Sequence, residues 1–110
     1  MKCSKYGNVK THGFDSKAEY HRWMELQILE RAGEITNLRR QVRVPLNVNS
    51  FHVCDYIADF VYTQGGALVI EDVKGVRTAV YRLKKKLMLA AKGIQIREIN
   101  AKDLGIRRKP

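Results

Sequence analysis

Charged side chains interrupt two segments whose other residues are typical of apolar β-strands. The segment LVIEDVKG begins with three apolar residues and then places Asp72 and Lys74 on one side of the strand, because alternate side chains share a face. At a rise of about 3.3 Å per residue, these two residues lie roughly 7 Å apart. In the preceding YIADFVY, Asp59 is the only charge within an apolar run. Such charges need partners, because burying them unpaired is costly.

A short turn between the two segments brings their charges together. Gln64–Gly66 is typical of a tight turn, so the flanking strands should pair as a hairpin with Asp59 beside residues 71–74. Two carboxylates from adjacent strands with a lysine next to them make a minimal site for Mg²⁺ or Mn²⁺. The alternatives are an ion pair of Asp59 with Arg43 or another cation, and a snorkelling Lys74 at a sheet edge.

Two helices and a last strand surround this hairpin. The first helical pattern covers residues 15–33, where Asp15 or Ser16 can cap the start and Gly33 suits the left-handed residue after the last turn. The second runs from a Thr78 cap to a stop at Gly93. The apolar face of this second helix should consist of Val80, Leu83, Leu87, Ala90 and Ala91.

The order of elements predicts an α/β fold with a mixed central sheet flanked by helices. Strands are expected at 42–48, 54–63, 67–74 and 94–99. Pro45 demotes the first strand to an edge or a bulge. The length of 110 residues fits one domain, assigned to 15–100, with a basic arm at 1–14 and a basic tail at 101–110.

The net positive charge of the chain indicates a polyanionic partner. Lys and Arg total 21 against 11 Asp and Glu, a net charge of +10, and nucleic acid is the first candidate. We expect an intracellular protein without a membrane span or signal peptide, since no apolar run approaches the roughly 18 residues of a span. A zinc site is not expected, because the spacing of paired ligands is missing among Cys3, His12, His52 and Cys54.

Asp59 on one strand and Asp72-Val73-Lys74 on the next resemble the motif of the PD-(D/E)XK nuclease superfamily. The resemblance implies a restriction-endonuclease-like αβββαβ core. It implies that Asp59 and Asp72 hold a Mg²⁺ or Mn²⁺ ion, that the Val73 carbonyl completes the shell, and that Lys74 positions or deprotonates the attacking water. The proline of the family motif is replaced here by Ala58.

Further segments narrow the resemblance to small phage-encoded endonucleases. KYGN, FDSKAE, ERAGEI, IADFVY, EDVKG and the lysine-rich second helix look like these proteins, which are similar to Holliday-junction resolvases and to virus-type replication-repair nuclease domains. The resemblance implies a phage or prophage protein in the cytoplasm of a bacterial host, acting on DNA in replication or recombination. A junction resolvase would have to be a homodimer, because paired incision needs two sites.

Two further acidic residues, Glu19 and Glu71, lie near these positions in the predicted elements. Resolvase-like relatives carry an acidic residue of the first helix in the metal site, which makes Glu19 a fourth candidate catalytic residue and metal ligand. The alternative is a capping box, in which Glu19 bonds back to Ser16. Glu71 faces away from the site by strand parity, so we assign it to an ion pair or a supporting role.

Basic residues near the second helix and before the second strand are candidates for DNA contacts. Phosphate contacts of this kind give salt-dependent affinity, and we expect recognition of backbone or shape more than of sequence. Tyr81 could instead pack against the sheet, and a charge run can simply be a solvated face. The candidates are Gln41, Arg43, Arg77, Tyr81, Arg82, Lys84 and Lys85.

The sequence therefore predicts a metal-dependent endodeoxyribonuclease, with three alternatives left open. A flap, nick or single-strand endonuclease would use the same residues on another substrate. A non-catalytic basic DNA-binding protein would keep its function when Asp72 or Lys74 is changed. An RNA-binding domain gives no account of Asp59 together with Asp72 and Lys74.

Overall fold

The computed structural model of the chain describes residues 13–14 and 16–100. Its helices and strands follow the order α, β, β, β, α, β. The elements are α1 (Lys17–Arg31), β1 (Thr36–Val48), β2 (Phe51–Gln64), β3 (Ala67–Lys74), α2 (Ala79–Lys92) and β4 (Arg97–Asn100). No helix in this part of the chain is both long enough and apolar enough to cross a membrane. The tail at 101–110 and the arm up to residue 12 lie outside the described residues.

The four strands form one mixed sheet in the order β1-β2-β3-β4. β1, β2 and β3 pair antiparallel, and β4 pairs parallel to β3 after the crossover through α2. Pro45 lies on β1 at the edge of the sheet, as expected. β1 and β2 begin earlier than the expected strands, and β4 begins later. The α/β class with a mixed sheet is confirmed.

Local signals set the ends of the helices where the sequence predicted. The side chains of Ser16 and Thr78 each accept the backbone N–H of the residue three positions on, at 3.1 Å. Gly33 and Gly93 follow the helices with left-handed φ angles of 82° and 69°. These ends fix where each helix meets the sheet. The other proposed cap, Asp15, lies outside the described residues.

Apolar side chains form two buried clusters, one with residues of each helix. The α1-side cluster consists of Phe14, Leu26, Ile35, Phe60 and Tyr62. The α2-side cluster consists of Leu46, Tyr56, Ala58, Val61, Ile70, Tyr81, Met88 and Ile96. Both faces of the sheet are therefore covered over part of their length, and β2 contributes side chains to both clusters.

The predicted apolar face of α2 is wrong. Val80 and Leu83 are 62% and 58% exposed, and Ala90 and Ala91 are also exposed, whereas Leu87 is partly buried. Helix α2 instead turns Tyr81 and Met88 to the sheet. Tyr81 can enter this face because its apolar ring packs in the cluster while its hydroxyl finds a partner. The positions of the apolar residues alone therefore predicted the wrong buried side of the helix.

Candidate active site

Strands β2 and β3 separate at Asp59. The last paired residues of the two strands are Phe60 and Glu71. Beyond them, the backbone N–H of Val73 donates to Oδ2 of Asp59 at 2.8 Å. On its other side β3 continues to pair with β4 as far as Lys74. Side chains from both parting strands can therefore turn into the gap between them.

At Asp59, the side chains of β2 also change the face of the sheet on which they lie. Ala58 belongs to the α2-side cluster and Phe60 to the α1-side cluster, although strict alternation would place both on one face. The register of the neighbouring pairs places Gln41 of β1 opposite Asp59, and Gln41 has a φ of 53°. A positive φ is uncommon for residues other than Gly, Asn and Asp. A local distortion of both strands thus coincides with the acidic residue.

An open cleft of about 870 Å³ lies where the strands part, bounded by α1, β2, β3 and α2. Seven of the candidate catalytic, metal-binding and DNA-contacting residues line this cleft. They are Glu19, Asp59, Asp72, Val73, Lys74, Tyr81 and Lys84. The remaining candidates for DNA contact, Gln41, Arg43, Arg77, Arg82 and Lys85, are not among its lining residues.

Asp72 and Lys74 form an ion pair inside the cleft. Lys74 Nζ lies 3.0 Å from Oδ1 of Asp72 and 3.9 Å from the centroid of the Tyr81 ring. The hydroxyl of Tyr56 donates to Oδ2 of Asp72. Burial, together with the charge of Asp72, raises the pKa of Tyr56, which therefore remains a donor. Both charges are thus compensated, and the ammonium is held in one place.

Asp59 and Glu19 form a second pair of acidic groups. Burial raises the pKa of Asp59 well above its usual range, and a hydrogen bond with Glu19 and the charges of Asp72 and Glu19 raise it further. Two carboxyls can share a hydrogen bond only when one carries a proton. Without a cation, Asp59 is therefore protonated at neutral pH.

The capping role of Glu19 is only partly realised. Its backbone N–H donates to Ser16 Oγ, so the serine caps α1. The Oε1 atom of Glu19 is buried and has no hydrogen-bond partner among the described residues. A buried carboxylate oxygen without a donor is costly. Helix capping therefore does not account for this side of the Glu19 carboxyl.

Replacing Asp59 should stabilise the fold while removing a proposed metal ligand. At pH 8 the raised pKa of Asp59 means that its carboxyl must take up a proton when the chain folds, a cost that Asp59→Asn removes. The asparagine amide can still accept from Val73 while donating to Glu19. We expect the free energy of unfolding at pH 8 in EDTA to rise by about 1–3 kcal/mol. Urea denaturation of both proteins measures this change. A variant less stable than the wild type would contradict the raised pKa of Asp59.

The chemical type of the donors in the cleft suits a hard divalent cation. Carboxylate and carbonyl oxygens are the ligands that Mg²⁺ and Mn²⁺ prefer, and a cation would relieve both the crowded carboxyls and the unpartnered Glu19 oxygen. Asp72 can accept more bonds than those from Lys74 and Tyr56, since a carboxylate offers about four lone-pair positions. Across residues 13–14 and 16–100, no group of three or more His, Cys, Asp and Glu side chains forms a ready ligand set.

The sequence reasoning missed Glu98, which lies on β4 opposite Asp72. Its carboxylate accepts hydrogen bonds from Arg77 Nε at 2.9 Å, Tyr81 Oη at 2.8 Å and Lys85 Nζ at 3.0 Å. Three residues that the sequence offered as DNA contacts therefore converge on one carboxylate. A signal was present, since Glu98 is the only acidic residue in the last strand, IQIREI.

Glu98 should make the free energy of unfolding depend on pH in the acid range. Burial opposes its ionised form, but hydrogen bonds from Tyr81, Lys85 and Arg77 outweigh this and lower its pKa from 4.5 to about 2. Its contribution is therefore fully present above pH 4.5 and is lost as pH falls towards 2. We expect Glu98→Gln to cost about 1–3 kcal/mol at pH 7 and almost nothing near pH 2. Urea denaturation across this range checks the sign, and a cost that grows with acidity would contradict it.

Glu71 forms the ion pair predicted for it. It is fully buried on the opposite face from the cleft, where Arg22 of α1 donates to both of its oxygens, at 2.8 and 2.7 Å. The Tyr62 hydroxyl also donates to this carboxylate. The hydrogen bonds to Glu71 raise the pKa of Arg22, so the guanidinium stays charged. This network attaches α1 to β3 directly behind the cleft.

Two alternatives from the sequence involve other contacts. Arg43 pairs with Asp55 at 2.9 Å, so it is not the partner of Asp59. His52 also binds Asp55, and Cys54 is a free thiol. Cys3 and His12, the other two residues considered for a zinc site, lie outside the described residues.

Comparison with known proteins gives one result. No curated protein and no solved structure matches the chain. A family model described as a protein of unknown function, DUF1064, matches residues 3–104 and thus nearly the whole sequence. The chain belongs to the DUF1064 family.

Proposed function

We propose that the chain is a Mg²⁺- or Mn²⁺-dependent endonuclease that hydrolyses DNA phosphodiester bonds. The observation that carries this proposal is the convergence of Asp59, Asp72 and Lys74, from two parting strands, in one open cleft. The order α, β, β, β, α, β around a mixed sheet supports a restriction-endonuclease-like core for the same chain. Both features agree with the resemblance to PD-(D/E)XK nucleases.

The proposed ligands are the carboxylates of Asp59, Asp72 and Glu19 with the backbone carbonyl of Val73. When bound, the ion polarises the phosphoryl oxygen and lowers the pKa of water. The protonated state of Asp59 without a cation means that binding must displace a proton from it. Asp72 has a second task, since it holds the ammonium of Lys74 at 3.0 Å.

Lys74 is the proposed group that acts on the water and the phosphate. Its ammonium lies between Asp72 and the face of Tyr81, where both contacts favour its positive charge. From this position it orients the attacking water and stabilises the charge that develops on the phosphoryl oxygens. A fixed donor of this kind costs no reorganisation during the reaction.

DNA is the proposed partner, bound through its phosphates. Lys84 lines the cleft and Arg82 is exposed on α2, so both can extend a basic surface from the cleft along this helix. A net charge of +10 favours binding that weakens steeply with salt. Branched DNA in phage replication or recombination, in the cytoplasm of a bacterial host, is the setting that the resemblance implies. A homodimer would supply the two sites that junction resolution needs.

Cleavage assays with three kinds of DNA test this proposal. Purified protein is incubated with supercoiled plasmid, a linear duplex and a synthetic four-way junction, each with Mg²⁺, Mn²⁺ or EDTA. We expect cleavage with metal and none with EDTA. Preferred cutting of the junction identifies a resolvase, whereas equal cutting of all three identifies a general endonuclease.

The main rival is a non-catalytic basic DNA-binding protein. Gel-shift measurements on the same DNAs, in EDTA and in metal, separate the two functions. Binding without cleavage under every metal condition would support the rival. It would also leave the raised pKa of Asp59 and the unpartnered oxygen of Glu19 without a functional reason.

A further inference from the structure

Glu98 binds three donors that lie at the start of α2. They come from Arg77, just before the helix, and from Tyr81 and Lys85 within its first two turns. Glu98 itself is fixed on β4 opposite Asp72. The carboxylate therefore ties the start of α2 to the strand beside the cleft.

Tyr81 connects this carboxylate with the proposed active site. Its side chain is buried, with 6% of the residue exposed, and its hydroxyl donates to Glu98 at 2.8 Å. The face of the same ring lies 3.9 Å from Lys74 Nζ. A cation is attracted to the face of an aromatic ring and not to its edge, so the orientation of the ring decides whether this contact exists.

Lys74 needs such a contact more than a shorter side chain would. Lysine has a flexible four-carbon stem and carries about 2 kcal/mol of rotamer entropy. Two contacts restrict it here, namely the carboxylate of Asp72 and the Tyr81 ring. Loss of the ring would leave the ammonium anchored on one side only.

We propose that Glu98 is a positioning residue: it orients the ring of Tyr81, and the ring holds the Lys74 ammonium beside Asp72. The consequence for catalysis rests on the proposed function, whereas the positioning itself rests on the contacts of Glu98, Tyr81 and Lys74. The Glu98 side chain has no role in binding the metal or the substrate. Its effect passes through Tyr81 alone.

Nuclear magnetic resonance of the lysine side chains tests the positioning without any cleavage assay. A group above an aromatic ring resonates upfield, so the ε-methylene protons of Lys74 should appear upfield of those of other lysines. Lys74→Arg assigns this signal by its disappearance. Tyr81→Leu should return the signal to the ordinary lysine region, because it removes the ring.

Variants at Glu98 separate positioning from a simple attachment of α2. We expect Glu98→Ala to move the Lys74 signal to the ordinary lysine region, and Glu98→Gln to retain it, because glutamine still accepts from the Tyr81 hydroxyl. Lys85→Met is the matched control, since it removes one donor to Glu98 without touching Tyr81, and the signal should stay upfield. Circular dichroism establishes that each variant is folded.

Tyr81→Phe covers the case in which Glu98→Ala does not fold. It retains the ring and both ion pairs of Glu98 and removes only the hydroxyl, so the Lys74 signal should lose part of its upfield shift. An unchanged Lys74 signal in folded Glu98→Ala, or in Tyr81→Phe where Glu98→Ala is unfolded, would overturn the proposal. A Lys74 signal in the ordinary region of the wild type would overturn it as well.

Kinetics then test the link to catalysis. In an active enzyme, Glu98→Ala should lower kcat by about 10- to 100-fold through a misplaced Lys74, with little change in KM. Glu98→Gln should recover most of this loss. If the wild type cleaves no DNA, the proposed function fails, and the resonance of Lys74 still decides whether Glu98 positions it.

Discussion

Asp72→Asn is expected to lower the rate of metal-dependent DNA cleavage on the order of 10³-fold while DNA affinity changes little. The variant has nearly the same shape but loses the negative charge proposed to bind the cation and hold Lys74. Phosphate contacts come from basic residues and do not depend on this carboxylate. Single-turnover cleavage and gel-shift measurements on the same DNA separate the two effects.

Asp55→Asn is the matched control for this prediction. Asp55 lies on β2 like Asp59, but its partners are the exposed side chains of Arg43 and His52, outside the cleft. Its pKa is lowered by the hydrogen bond from His52 and then by that from Arg43, so it too is a charged carboxylate that the variant neutralises. Equal losses of cleavage in both variants would show that Asp72 has no special role.

Arg22→Met is expected to cost about 3–5 kcal/mol of the free energy of unfolding. Glu71 is completely buried, and Arg22 supplies a hydrogen bond to each of its oxygens. Without Arg22, a buried carboxylate keeps the Tyr62 hydroxyl and a more distant Arg97, 3.9 Å away. Methionine preserves much of the side-chain volume, so the loss reflects the unpaired charge. Urea denaturation at pH 7 measures the cost.

Two comparisons give this stability prediction a sharp outcome. Arg43→Met breaks an ion pair whose arginine side chain is 69% exposed, and it should cost far less than Arg22→Met. The double variant Arg22→Met with Glu71→Leu should recover most of the loss, because no buried charge is left unpaired. A cost for Arg22→Met as small as that of Arg43→Met would contradict the assignment of this network as a buried attachment of α1.

Local sequence signals predicted the framework of the fold. Ser16 and Thr78 are capping residues, and Gly33 and Gly93 occupy left-handed positions that disfavour other side chains. Such signals act over a few residues, so a single sequence contains them in full. The order of elements and the mixed sheet follow from these ends together with the strand patterns.

The details of the cleft depend on long-range contacts and were not predicted. The distortion at Asp59 lies opposite a positive φ at Gln41, 18 positions earlier and on the neighbouring strand. Likewise, the buried face of α2 depends on Glu98, which gives the hydroxyl of Tyr81 a partner. The spacing of apolar residues takes no account of the partner that a tyrosine hydroxyl finds elsewhere in the fold. It therefore predicted the wrong buried face of α2.

Strand parity, by contrast, separated Asp72 from Glu71 correctly. Asp72 lies in the cleft, whereas Glu71 is buried on the other face with Arg22. Parity succeeds here because β3 continues as a regular strand through these residues, pairing with β2 as far as Glu71 and with β4 from Glu71 to Lys74. The placement of Asp59 needed the hairpin as well, and the Gly65-Gly66 turn supplied it with two positive φ angles.

The most direct test of the central claim compares wild type with Lys74→Ala on supercoiled plasmid in Mn²⁺, with a parallel EDTA arm. Both proteins are purified side by side and checked for folding and DNA affinity. The account predicts nicking by the wild type that stops in EDTA and falls about 10²- to 10⁴-fold in the variant, with binding retained. Equal nicking by both proteins, or no cleavage by the wild type of plasmid, duplex or junction with either metal, would contradict it.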